Sequence, residues 1–247
     1  MASAKSPGGR VIAEWSVFGI PIHIDASWLV VAAFVTWSLS RGYFPEIYPG
    51  FRPAVYWAMG GSAALLLFVS VLLHELGHSL AAKSYKIPVT RIVLFIFGGV
   101  AQIGRDPRRP MIELVVALAG PLVSVVIASA CLWAASAIPI TGTLSFSAAA
   151  IAQYLATLNT WVLLFNLLPG FPLDGGRILR ALLWAWTGSL RKATRLASAS
   201  GLGLGIGLMG FGVWFMGKQE WISGLWYLYL GSFLQSNARA SYRQAGS

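Results

Sequence analysis

Several things are scarce in this 247-residue chain, and each scarcity excludes something. There is one cysteine, Cys131, inside an apolar run, so no intrachain disulfide and no cysteine-based metal cluster can form. Only 11% of residues are charged, against about 25% in an average soluble domain. Acidic residues number eight, and histidines only three: His23, His74 and His78. The first ten residues lack the apolar stretch of a signal peptide and read as a short disordered tail. What remains is 57% hydrophobic, which makes this an integral membrane protein of one domain. The net charge of +10 would suggest nucleic acid in a soluble protein. Here the positions of the charges give another explanation, and no nucleic-acid partner is expected.

Two of the three histidines fall in one short run, Leu72-Leu73-His74-Glu75-Leu76-Gly77-His78. Residues four apart lie one turn above each other on a helix, so His74 and His78 can offer two imidazoles to one ion. Glu75 is displaced round the helix, where it can reach a water as a base without being a ligand. The motif sits in an apolar context, after Ala63-Ala64-Leu65-Leu66-Leu67-Phe68-Val69. A carboxylate in such a span costs roughly 2.5–3.5 kcal/mol unless compensated, and a metal site supplies the compensation.

Six spanning helices are expected: residues 26–40, 53–85, 110–137, 148–168, 194–216 and 221–234. Before the first, Ile20, Ile22 and Ile24 alternate with Pro21, His23 and Asp25, a period-two pattern that predicts an interfacial β-hairpin over residues 11–25. His23 and Asp25 share a face and could bind metal, although rim residues of a strand show the same pattern. Between the second and third helices, Val89 to Gly104 is too short to span as a helix. It is rich in Ile, Val and Phe around Gly98-Gly99, which predicts a β-hairpin turning at the glycines. Both its flanks are basic, so the hairpin is expected to re-enter the same side. Non-helical backbone at membrane depth persists only against protein or a watery cavity, so this hairpin should line the site. Its residues Gly98, Gly99, Val100, Ala101 and Gln102 are candidates to bind an opened substrate strand through backbone groups. Glu113 opens the third helix, where the helix dipole favours an anion.

The segment from Arg177 to Lys192 reads as a basic amphipathic surface helix. Gly201/Gly205 and Gly203/Gly207 have the small-xxx-small spacing of close helix packing in the fifth helix. Trp221, Trp226, Tyr227 and Tyr229 form an aromatic belt or gate surface in the sixth. With six spans, one side carries 15 of the 18 Lys and Arg, leaving Arg41, Arg52 and Lys218 on the other. The positive-inside rule then predicts both termini in the cytoplasm, in a plasma-membrane protein. His74, His78 and Asp174 all fall toward the cytoplasmic end.

Catalytic zinc takes three protein ligands and leaves a position for water. Histidine is nearly exhausted, and among the carboxylates Asp174 has the right depth. Depth and elimination favour it as a ligand; its position also permits capping of the helix beginning near Arg177, and His23 is the other candidate.

At this point the sequence resembles the site-2 proteases, intramembrane zinc metalloproteases. The matching residues are His74-Glu75-Leu76-Gly77-His78, Phe97-Gly98-Gly99, Ala119-Gly120-Pro121, and Asn166-x-x-Pro169-x-x-x-x-Asp174-Gly175. The run Leu94 to Gln102 is most similar to the branch that often carries paired cystathionine-β-synthase-type domains; the 247 residues include neither these nor a PDZ domain. The resemblance implies one zinc per chain on His74, His78 and Asp174, with Glu75 as base and Asn166 close to the scissile bond. It implies single-pass membrane proteins as substrates, cut in or beside their transmembrane helix. The expected layout is a polytopic all-α protein with two β-hairpins, a protease domain over residues 11–237 and a tail over 238–247. Self-association is left open. The competing reading is a transporter or channel with a metal in its path, since ionisable groups in a membrane also mark ion routes.

Overall fold

The computed structural model describes residues 11–95 and 98–244. The tail expected over residues 1–10, and Phe97 of the hairpin motif, lie outside the described residues. The chain forms two compact units, residues 1–105 with 122–162 and residues 106–121 with 163–247.

The first unit begins with β1 (Val11–Val17) and β2 (Ile20–Asp25), joined at Phe18 and Gly19, both with positive φ, as a two-residue hairpin turn requires. β3 (Val89–Phe95) and β4 (Gly98–Ile103) form the second hairpin. The two hairpins are not separate, as expected, but one four-stranded sheet in the order β1-β2-β3-β4, with β2 parallel to β3. Gly98 and Gly99 are not the turn: they open β4, opposite Phe95 and Leu94. The expected alternation does set the sheet's inner face, where Ile20, Ile22, Ile92 and Leu94 are buried.

α1 (Ser27–Ser38) continues through a π-helical turn, Leu39–Tyr43, into α2 (Phe44–Ile47). α3 (Pro53–Ser84) starts with proline at its first position, where no N–H is needed. A side chain at Gly60 would meet Ser40 Oγ and the Thr36 carbonyl, so the glycine lets α3 approach the end of α1. Leu39, Phe44, Tyr56, Met59, Ala63, Ala150 and Tyr154 form one core there. A second core joins Leu76 of α3 to the four buried sheet residues. Leu76 thereby anchors the histidine-bearing turn of α3 to the sheet.

α4 (Pro110–Ala137) and α5 (Thr143–Asn166) contribute to both units, and α5 starts earlier than expected. The second unit also holds α6 (Asp174–Thr187), α7 (Leu190–Gly217) and α8 (Trp221–Gln244). Gly188 stops α6 in a left-handed conformation and Ser189 caps α7. Arg191 and Lys192 therefore belong to the first turn of α7 and not to the amphipathic helix. α7 and α8 run antiparallel: Gly212 lies against Gly224, and Gly205 against Gly231. Of the two glycine pairs in α7, Gly201/Gly205 faces neighbours, while a Cβ at Gly203 or Gly207 would meet nothing within 4 Å.

Among the described residues, four helices, α3, α4, α5 and α7, are long and apolar enough to cross a membrane. Their outward residues agree: Val126 is 66% exposed and Val213 62%. Such surfaces are stable against lipid and not against water.

Candidate metal centre and active site

α3 buries His74 and His78, each 4% exposed, on its inner face. Their Nε2 atoms lie 3.2 Å apart and their rings meet at 79°. Two nitrogens bound about 2.05 Å from a tetrahedral ion would be roughly 3.3 Å apart, so this pair has the spacing of two ligands on one zinc. His74 Nδ1 is 2.9 Å from Ser124 Oγ on α4, in the same unit, and Ser124 is fully buried. A proton on Nδ1 donated to that hydroxyl leaves the Nε2 lone pair available to a metal ion. Sequence reading did not single out Ser124. Its only signal is a position three residues after Pro121, inside an otherwise apolar helix.

Glu75 is half-buried and turned toward the sheet, and its Oε2 accepts the Ala101 N–H at 3.1 Å. Gly99 makes this approach possible, since a Cβ there would come within 2.7 Å of Glu75 Cγ. β4 is the outer strand of its sheet, so the Ala101 N–H that reaches Glu75 points away from β3. In a regular strand the neighbouring N–H groups of Val100 and Gln102 then face β3. Val100 is 46% exposed, and the Gln102 side chain accepts a hydrogen bond from Arg91 Nε at 2.8 Å. The structure thus brings together His74, His78, Glu75, Gly99 and Ala101 within the first unit.

His23 and Asp25 have other engagements. His23 Nε2 is 3.0 Å from Glu14 Oε1, and Asp25 accepts the Ser27 N–H at 2.9 Å, opening α1. Hydrogen bonds from the Ser27 side chain and then from its backbone N–H hold the Asp25 carboxyl below the usual aspartate range.

In the second unit, Asn166 ends α5 half-buried and Asp174 is the first residue of α6, 9% exposed. The N-cap position is Leu173, and Asp174 stands in the first turn of α6 and not at the cap. Side chains at Gly175 and Gly176 would strike the Leu167 and Gly170 backbone, so both glycines are needed for α6 to seat on its preceding loop.

The family model described as peptidase family M50 matches residues 62–151 and 137–209. The chain belongs to peptidase family M50. It is 38% identical over 93% of its length to a candidate zinc metalloprotease of Synechocystis sp., covering 59% of that protein. It is 33% identical over 90% of its length to the candidate zinc metalloprotease Rip3 of Mycobacterium tuberculosis, covering 56% of it. The chain therefore spans a little over half the length of these M50 relatives. Among solved structures, the site-2 protease from Methanocaldococcus jannaschii matches with a TM-score of 0.56 and 28% identity, over 93% of this chain and 94% of that one. The resemblance to site-2 proteases read from the motifs is borne out, and the M50 assignment is to peptidases, not to transporters or channels.

Proposed function

We propose that this chain hydrolyses peptide bonds in or beside the transmembrane helix of single-pass membrane proteins, using one zinc held by His74, His78 and Asp174. The observation that carries the reading is the buried imidazole pair, with Nε2 atoms 3.2 Å apart and His74 oriented by Ser124. The donor set of two imidazoles and a carboxylate suits catalytic zinc, which keeps a fourth position open. When bound, zinc supplies Lewis-acid polarisation of a carbonyl and a lowered water pKa.

The protein's own residues do the rest. Glu75 takes the proton of the attacking water and passes it to the leaving amine nitrogen. Asn166 donates from its amide to the developing oxyanion. The outer edge of β4 pairs with the substrate after its helix opens, satisfying N–H and C=O groups that lipid would leave bare. Gly98 to Gln102 form that edge, and the Ala101 N–H at its centre passes from Glu75 Oε2 to the substrate strand when the strand docks. The charge distribution supports a plasma-membrane location with both termini cytoplasmic.

The test is cleavage of candidate single-pass substrates by purified protein, with Glu75→Gln as control. Equal cleavage by wild type and variant would refute the reading.

A further inference from the structure

Glu113 has no part in that reaction, yet it is fully buried in the first turn of α4. It is not a solvated partner of the helix dipole. Arg180 of α6 meets it within the second unit: Nε donates to Oε1 at 2.6 Å, and a second guanidinium nitrogen contacts the same oxygen. The guanidinium also lies over the Phe171 ring, 5.2 Å from its centroid, and 3.7 Å from Asp106 Oδ1. Glu113 Oε2 has no hydrogen-bond partner among the described residues. A buried pair left partly unsatisfied adds little stability, and apolar residues of similar volume often replace such pairs without loss. Its value must then lie in geometry. Phe171 stands in the middle of the loop that begins at Asn166 and ends at Asp174, the loop on which Gly175 and Gly176 seat α6.

We infer that Glu113 and Arg180 are positioning residues for the active site. Their ion pair fixes the roll of α6 and the place of Phe171. Through these it sets the directions of the Asp174 carboxylate and the Asn166 amide. Neither residue touches substrate. The inference rests on the proposed roles of Asp174 and Asn166.

The test replaces the pair by apolar residues, Glu113→Leu with Arg180→Met, and separately makes Arg180→Lys, which keeps the charge and loses the fork. Three quantities are measured: thermal unfolding of the zinc-free protein, zinc affinity by chelator competition, and kcat and KM on a membrane substrate. The apolar pair should unfold near the wild-type temperature yet bind zinc about 10–100-fold more weakly, as for other residues that orient ligands. Its kcat should fall with little change in KM. A folded apolar pair with wild-type zinc affinity and kcat would overturn the inference. Should that variant not fold, Arg180→Lys decides: zinc affinity weakened about tenfold or more supports it, and unchanged affinity overturns it. Asp174→Ala separates the two levels. If it binds zinc like wild type, the ligand assignment itself falls. If it loses zinc while both pair variants keep it, only the positioning role falls.

Discussion

Glu75 and Ser124 flank the same imidazoles and should fail in different ways. Glu75 accepts a backbone N–H of β4 and is proposed as a base and not a ligand, so Glu75→Gln should keep zinc and fold. Loss of a general base typically costs about 10²–10⁴-fold in rate. Metal analysis beside a turnover assay checks both halves; a variant that lost its zinc would make Glu75 a ligand. Ser124→Ala should do the reverse, because it frees the His74 ring. Zinc affinity should weaken about 10–100-fold. Glycine would leave the same deficit and threonine should recover part of the affinity, both readable by chelator competition. At this scale the sequence was most informative where residue types are rare. With three histidines and a helical spacing of four, the facing imidazole pair follows almost from counting. Ser124 and Arg180 could not be found that way. Serine and arginine are common, and their importance lies in which atom they face across 50 or more residues of chain.

The β4 strand tests what an element contributes beyond its side chains. Its Ala101 N–H leaves the sheet, while Val100 and Gln102 point their N–H groups at β3. Proline removes one donor at a time. Ala101→Pro should therefore impair substrate cleavage while leaving thermal stability near wild type. Val100→Pro and Gln102→Pro should instead lower the unfolding temperature, since each breaks a ladder bond inside the sheet. Ala101→Pro also removes the N–H that Glu75 accepts, so cleavage at the wild-type rate would show that neither that contact nor the β4 edge serves the reaction. Strand composition and alternation made both hairpins legible in the sequence. The parallel seam between β2 and β3 was not, because it joins residues about 70 positions apart, and local pattern carries no record of a partner that distant. The turn was misplaced for a related reason. Gly98 and Gly99 look like turn residues, but Gly99 is there so that Glu75 can come close.

For the whole molecule, the arrangement in the membrane is the largest inference drawn from charge. Four helices are apolar and long enough to span; α1 is short and runs into a π turn, and α8 does not meet the same measure of apolar length. The count of spans decides on which side the loops fall, so it decides where the 15 basic residues lie. Hydrophobic periodicity gives the existence of each helix but not whether a marginal one crosses. A single labelling series resolves this. Cys131 is the only cysteine, so Cys131→Ser gives a clean background for new cysteines at Arg108, Thr141 and Lys218. With six crossings, Arg108→Cys should react with an impermeant thiol reagent only from the cytoplasmic side, and Thr141→Cys and Lys218→Cys only from the opposite side. If α8 does not cross, Lys218→Cys is unaffected but a cysteine at Tyr242 should label from the same side as Lys218→Cys. Labelling of Arg108→Cys from outside alone would invert the topology and move the water-access route of the active site to the other face of the membrane.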